Sequence, residues 1–338
     1  MIKIGSIEVG EYPLLLAPME DVSDPPFRIL CKEYGADIVY TEFISSEGLI
    51  RNAEKSVKKL EIFPGERPVG IQIFGAELDS MRQSARMVEE ARPEILDINF
   101  GCPVHNVICK GAGAGILKDI PKMELLTREI VKSTSLPVTV KTRLGWDEKT
   151  IRIQEVVLRL QDAGIKAISI HGRTRVQMYK GEADWTWIEQ VAAHPDVEIP
   201  VFGNGDVDSP QKALEMQQTY PSVKGIMIGR AAIGAPWVFR EIKHFLATGE
   251  ILPSPDIAER VEVTRRHLQM SIDWKGETLA VVEMRRHYTN YFKGIPYFKP
   301  LRMQLVTTNS AAEIFDLLDY IRDHVTLEGV PMEQPQVA

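Results

Sequence analysis

The sequence predicts an α/β chain, a (β/α)8 TIM barrel followed by a small C-terminal helical-bundle domain, on three observations. Short β-rich apolar runs recur eight times, each followed by a segment with helical spacing, as repeated βα units require. These units occupy about 250 residues, the size of a closed barrel. The alternation then stops at LPSPD, residues 252–256, whose two prolines mark a linker.

Taken in order, the strands are predicted at 12–17 (YPLLLA), 37–43 (DIVYTEF), 68–74 (PVGIQIF), 95–100 (ILDINF), 137–142 (LPVTVK), 167–171 (AISIH), 199–203 (IPVFG) and 224–228 (KGIMI). An open doubly wound sheet is the alternative, but its first βα turn would carry a G-x-G-x-x-G fingerprint that is absent here. After the linker, helix-period apolar residues predict helices near 257–272, 277–292, 299–308 and 311–325; Ile314, Leu317, Leu318 and Ile321 trace the last. The plan is a barrel over 1–250, a helical domain over 251–326 and a flexible tail over 327–338.

The 338 residues are 44% hydrophobic, ordinary for a chain with a well-packed core. Three cysteines, Cys31, Cys102 and Cys109, argue against a disulfide framework and for a reducing compartment, so a cytoplasmic location is expected. No leader-like or bilayer-length apolar run is present, no membrane association is expected, and a monomer is the expected state. The net charge of −7 argues against a basic surface overall. Residues 284–302, however, carry five Lys or Arg and no Asp or Glu, so basic charge is segregated there.

In a barrel of this type the site lies at the C-terminal ends of the strands, which directs attention to the polar residues falling there. Met19 follows strand 1, Gln72 lies in strand 3, Asn99 and Cys102 close strand 4, and Lys141 closes strand 5. His171 closes strand 6, Asn204 and Asp206 follow strand 7, and Gly229 and Arg230 follow strand 8. The turns GNGD, 203–206, and IGRAAIG, 228–234, stand where barrels form phosphate sites from backbone N–H groups, which implies a phosphorylated ligand. Lys141 is either a Schiff-base nucleophile or a fixed positive charge facing an anion. Cys102 sits in a glycine-rich loop that would hold a thiol at a fixed, exposed position, whereas a buried apolar role fits Cys31 and Cys109. Cys102, His105 and Cys109 are only three candidate metal ligands with no second cluster, and no metal is expected. Gln72 and Asn99 on buried strands need hydrogen-bond partners, which a heteroaromatic ring edge would supply.

Together LAPMEDVSDPPFR, TEFISSEGL, GIQIFG, DINFGCPVHNV, VKTRLGWD, ISIHGRTR, FGNGDV and MIGRAAIGAPWVF resemble the tRNA-dihydrouridine synthases, most closely the bacterial B-type branch, over residues 10–245. The resemblance implies an FMN-binding catalytic barrel, reduction of FMN by NADPH, hydride transfer to C6 of a tRNA uridine and proton donation to C5 by Cys102. It implies that Ala17, Pro18 and Met19 contact the flavin ring, Gln72, Asn99 and Lys141 its polar edge, and Asn204, Gly205, Asp206, Gly229 and Arg230 the ribityl phosphate. His171 is expected against flavin or uracil. A uridine stacked in folded tRNA must be extracted, and the helical domain is expected to hold the RNA through Arg285, Arg286, Tyr288, Tyr291, Lys293 and Lys299. Two departures concern target choice: His105 and Asn106 replace lysines common in this branch, and Val282 stands where an arginine often begins the basic motif. Rival readings are a barrel reducing a free pyrimidine or enone, a Lys141 Schiff-base lyase and a catalytically silent RNA-binding protein.

Overall fold

The computed structural model describes residues 1–330; part of the tail expected over 327–338 therefore lies outside the described residues. Eight parallel strands form the barrel: β1 Leu14–Leu16, β2 Val39–Tyr40, β3 Val69–Phe74, β4 Ile95–Phe100, β5 Val138–Arg143, β6 Ala167–His171, β7 Val201–Asn204 and β8 Ile226–Ile228. Their spatial order is β1-β8-β7-β6-β5-β4-β3-β2, and a parallel bridge between Leu15 and Ile38 brings the two ends together. Each predicted strand is present, although β2 is far shorter than the run at 37–43. A second short strand, Ile44–Ser45, pairs with β3 after the break.

Eight helices cover the outside: α1 Pro25–Glu33, α2 Ser46–Ile50, α3 Leu78–Glu90, α4 Ile120–Val131, α5 Ile153–Ala163, α6 Thr186–Ala192, α7 Pro210–Thr219 and α8 Val238–Thr248. Their starts follow from side-chain caps: Asp24, Asp119 and Ser209 accept backbone N–H bonds from Phe27, Lys122 and Lys212, relieving donors that a first helical turn leaves unpaired. The apolar faces of these helices pack on the outward residues of the strands, such as Leu96, Ile98, Phe100, Val138 and Val140.

Because strand side chains alternate, the residues between these point into the barrel. At its lower end the interior is apolar, with Leu15, Tyr40, Ile95, Ala167, Phe202 and Met227. An N-terminal ribbon, Lys3–Ile4 against Ile7–Glu8, places Ile4 and Val9 in the same cluster and stoppers that end. The ribbon has strands of two residues and leaves no period-2 signal to read. Toward the upper end the same alternation delivers polar side chains: Gln72 on β3, Asp97 and Asn99 on β4, Thr139, Lys141 and Arg143 on β5, and His171 on β6.

The expected C-terminal helices are α9 Ile257–Lys275, α10 Glu277–Tyr291, α11 Lys299–Thr307 and α12 Ala311–His324. They enclose their own core, with Val261, Leu268, Met284, Tyr288, Tyr291, Leu305, Ile314, Leu318 and Ile321 fully or nearly fully buried. Leu30 of α1 and Trp237 before α8 enter that core, so the bundle rests on one flank of the barrel. Polar contacts fix it there. Buried Lys275 bonds Asp24 at 2.6 Å and Glu283 at 2.5 Å, while Arg286 meets Asp21 at 2.8 Å and Arg266 meets Glu33 at 2.9 Å. Residues 327–330, expected as the start of a loose tail, are held in place: Thr326 and Gly329 exchange backbone bonds, and the Val330 N–H donates to the Pro296 carbonyl. Among the described residues no helix is long and apolar enough to cross a membrane.

Candidate active site

The upper mouth of the barrel holds a cavity of about 770 Å³, large enough for a cofactor and part of a substrate, since small-molecule sites span roughly 300–1,000 Å³. Ala17, Pro18, Met19, Asn99, Cys102, Lys141, His171, Asn204, Gly205, Asp206, Gly229 and Arg230 all line it. Residues from positions 17 to 230 thus converge because they occupy the C-terminal ends of six of the parallel strands, β1 and β4 to β8.

Cys102 is nearly buried, and burial pushes its thiol above the ordinary range, so it carries its proton at neutral pH. Its turn is held from within: the Asn99 side-chain oxygen accepts the N–H of Gly101 at 3.0 Å and of Cys102 at 2.8 Å. Gly113, at φ +54, packs behind it, where a Cβ would come within 2.8 Å of the Cys102 carbonyl oxygen.

Lys141 is pushed down to about 8, first by burial and then by repulsion from Arg143, with Asp97 and Cys102 opposing. Among the described residues its ammonium has no hydrogen-bond or ion-pair partner. A half-buried cation without a partner is suited to an anionic ligand. Arg143 is pushed down to about 10 by burial and stays charged; it donates to the carbonyls of Gly101, Thr174 and Met178, tying the Cys102 loop to the loop after β6.

His171 is driven well below its usual range by burial and by Arg143, Lys141, Arg173 and Arg230, and is neutral. A guanidinium only donates, so the 3.3 Å contact from Arg173 makes Nε2 the acceptor and leaves the ring proton on Nδ1.

The turns after β7 and β8 form the opposite wall. Gly205 has φ +123, and a Cβ there would lie 2.6 Å from Ala183 and 3.0 Å from the His171 ring. The backbone N–H groups of Asp206, Arg230 and Ala231 find no acceptor among the described residues, as an anion-binding cup requires. Asp206 accepts from Arg173 at 2.8 and 2.6 Å, from Arg230 at 2.9 Å and from the Ala183 N–H at 2.8 Å. Its carboxylate is therefore occupied in holding arginines.

Several sequence expectations are corrected by packing. Gln72 does not line the cavity; it is fully buried, donates to Asp97 at 2.6 Å and accepts from Asn99 at 2.8 Å, so no ring edge is needed to satisfy it. Tyr288 and Tyr291 are fully buried in the bundle, with the Tyr291 hydroxyl 2.9 Å from His267, and neither ring is free to stack on a base. Arg285 donates to Asn309, and Arg286 to Asp21 and the carbonyls of Glu20 and Asp21. Of the six residues only Lys293 and Lys299 stand exposed and unengaged, and Lys293 reaches the cavity wall. Cys109 is exposed beside His105, not buried, because it ends a single short surface turn, His105–Ile108.

Sequence reasoning did not single out Arg143, Asp97, Tyr179 or Tyr297. The first two share the inward face with Lys141 and Asn99, a signal that strict alternation along β4 and β5 offered. Tyr179 lines the cavity with Arg143 and Arg230 near its ring. Tyr297 is 76% exposed, at φ +58, in the loop that carries Lys293.

Comparison with known proteins agrees with this geometry. A family model described as dihydrouridine synthase matches residues 15–325. A protein named probable tRNA-dihydrouridine synthase from Rickettsia conorii is 37% identical over 88% of this chain and 88% of its own. A tRNA-dihydrouridine synthase B from Pseudomonas putida is 38% identical over 88% of this chain and 89% of its own. In three dimensions the chain is similar to a 6-hydroxypseudooxynicotine amine oxidase from Pseudomonas geniculata, with a TM-score of 0.56 at 13% identity over 77% of this chain and 52% of that one, a likeness of fold alone.

Proposed function

Because the chain belongs to the dihydrouridine synthase family and is a flavin-dependent oxidoreductase, we propose that it reduces the C5–C6 double bond of uridine in tRNA with FMN as its bound flavin and NADPH as its reductant. The observation that carries this reading is the meeting, in one cavity, of a protonated thiol, an unpartnered lysine and an unpaired backbone cup.

These residues fit an FMN. The free amides of Asp206, Arg230 and Ala231, with Gly205 and the Arg230 guanidinium, would hold the phosphate, Ala17, Pro18 and Met19 would contact the ring, and Lys141 would bond its polar edge. When bound and reduced, the flavin supplies the hydride that uracil C6 receives. The chain supplies the rest. Cys102 donates its proton to C5, where enolate-like charge develops as C6 is saturated, and burial keeps that proton in place until then. Lys141 and Arg143 keep the cavity positive, which stabilises negative charge on ring oxygens. Neutral His171 offers its Nδ1–H as a donor that does not add charge. Asp206 fixes Arg173 and Arg230 rather than meeting phosphate itself.

The helices from 257 to 324 carry the RNA. Lys293, at the junction of bundle and cavity, contacts the phosphate of the extracted nucleotide, and Lys299 a neighbouring one. Tyr297 supplies the exposed aromatic surface that Tyr288 and Tyr291 do not, and its left-handed backbone, costly for a bulky residue, is the kind of strain retained at working sites.

Unmodified tRNA transcript incubated with the protein and NADPH tests the proposal. Dihydrouridine should form with the wild-type protein, denaturation should release FMN, and Cys102→Ala should lose product while retaining flavin. Equal turnover of free uracil, or full activity without Cys102, would overturn it.

A further inference from the structure

Asp97 stands below the site, buried among polar neighbours that the proposed mechanism does not use. It pairs in register with Gln72 on β3 and with Thr139 on β5, so the three inward side chains form one layer across the barrel. Asn99 and Lys141 form the layer above, nearer the mouth. The Thr139 hydroxyl donates to one Asp97 oxygen and the Gln72 amide donates to the other at 2.6 Å. The Gln72 oxygen then accepts from the Asn99 amide at 2.8 Å, and the Asn99 oxygen accepts the N–H groups of Gly101 and Cys102.

The donor inventory gives this chain a direction. Backbone N–H groups only donate, so Asn99 must turn its oxygen to the Cys102 turn and its NH2 to Gln72; Gln72 must then turn its own NH2 downward. An acceptor is required at the bottom, and an ionised carboxylate is acceptor only. Both ends demand the same polarity, and each buried link has a partner, the condition under which a polar network specifies one conformation.

We propose that Asp97 is a positioning residue for the reaction: it terminates a one-way hydrogen-bond chain through Gln72 and Asn99 that holds the backbone of Cys102 at the cavity wall. This rests on the assignment of Cys102 as the proton donor. Asp97 itself does not line the cavity. Burial pushes its carboxyl up to about 6, with Thr139, Gln72 and Lys141 opposing, so it is mostly ionised at neutral pH. The competing role for Asp97 is as counter-charge to Lys141 alone, which would need the negative charge and not the chain.

The two roles separate on substitution. In Asp97→Asn the side-chain oxygen can still accept from Gln72 while its NH2 turns to Thr139, whose hydroxyl accepts as readily as it donates. In Asp97→Ala the Gln72 amide loses its acceptor and the chain loses its direction.

The experiment uses the full-length flavoprotein in a Cys109→Ser background, because Cys109 is exposed and would be alkylated first, whereas Cys31 is fully buried. Alkylation of Cys102 by iodoacetamide is followed by peptide mass spectrometry, alongside kcat and KM on tRNA transcript. Asp97→Ala is expected to change the alkylation rate by about tenfold and to lower kcat by about tenfold or more, with KM for tRNA within about twofold. Asp97→Asn is expected to restore both to within about threefold. If Asp97→Ala does not accumulate as flavoprotein, Gln72→Met removes the middle link at similar volume and is read in the same way. The proposal is overturned if the chain-breaking variant alkylates like wild type, or if Asp97→Asn is as impaired as Asp97→Ala. The alkylation reading does not depend on catalysis: dihydrouridine formation that survives Cys102→Ala would remove the assignment of Cys102 as acid and leave the chain to be judged by thiol reactivity alone.

Discussion

Asp206 offers a direct test of whether the wall after β7 works by holding arginines. Replacing it with alanine removes four accepted bonds, from both terminal nitrogens of Arg173, from Arg230 and from the Ala183 N–H. Arg173 is 2% exposed, so its charge is left in the interior. Breaking one side of a buried ion pair costs about 3–5 kcal/mol. Asp206 is itself 30% exposed, and Arg173 keeps the carbonyls of Lys180 and Gly181, which together reduce the estimate to about 2–4 kcal/mol. For a chain of 338 residues that corresponds to a fall in Tm of about 3–6 °C. The assay is thermal unfolding of the flavin-loaded protein, with flavin release on dilution followed by fluorescence. Asp206→Ala should melt earlier and release flavin faster, because Arg230 loses its tether. The pH dependence has a fixed sign. Burial tends to raise the Asp206 carboxyl, but Arg173, the Ala183 N–H and Arg230 outweigh it and hold the group below its usual range. Its contribution is therefore fully present above the ordinary aspartate range and is lost as pH falls through the depressed value, so wild type and variant converge in acid. A variant that melts within about 1 °C of wild type, or that holds flavin more tightly, would rule out this role for Asp206; the latter result would mean that the carboxylate acts mainly by repelling phosphate.

Other expectations concern the neighbouring residues. Lys141, held at about 8, should impose an alkaline loss of activity near that pH while the raised Cys102 thiol stays protonated, and Lys141→Arg should move the loss to higher pH in a kcat/KM profile. Tyr288→Ala should destabilise the protein by about 3–5 kcal/mol through the cavity it leaves in the bundle, measured by denaturant unfolding. Tyr297→Gly should instead leave the fold unharmed or slightly more stable, by about 1 kcal/mol, since glycine relieves the left-handed backbone. The same substitution should weaken tRNA binding by about fivefold to a hundredfold if the ring stacks on a base, as read by filter binding. Lys293→Ala should raise KM for tRNA and reduce the salt slope of binding by about one ion, with flavin content unchanged.

Eight strands, four C-terminal helices and the strand-end residues of the cavity were legible in the chain because each depends on local information. Apolar runs buried on both faces mark parallel strands, caps and prolines mark helix starts, and the last residue of a barrel strand faces the mouth wherever the strand lies. That logic located Cys102, Lys141, His171, Asn204 and Arg230 on one wall or another of the cavity. What the tertiary structure alone decided is which polar atoms are already spent. Gln72 and Asp206 have the right position and type, yet Asp97 and Asn99 satisfy one and three donor groups satisfy the other. Tyr288 and Tyr291 read as a basic-aromatic RNA stripe until their helix rotates them into the bundle, where burying two large rings outweighs leaving them for a ligand. Tyr297, with no periodicity to announce it, takes the exposed place. Composition and spacing show which groups a chain can bring to a site; packing settles which of them remain free there, because a hydrogen bond or a buried face is used only once.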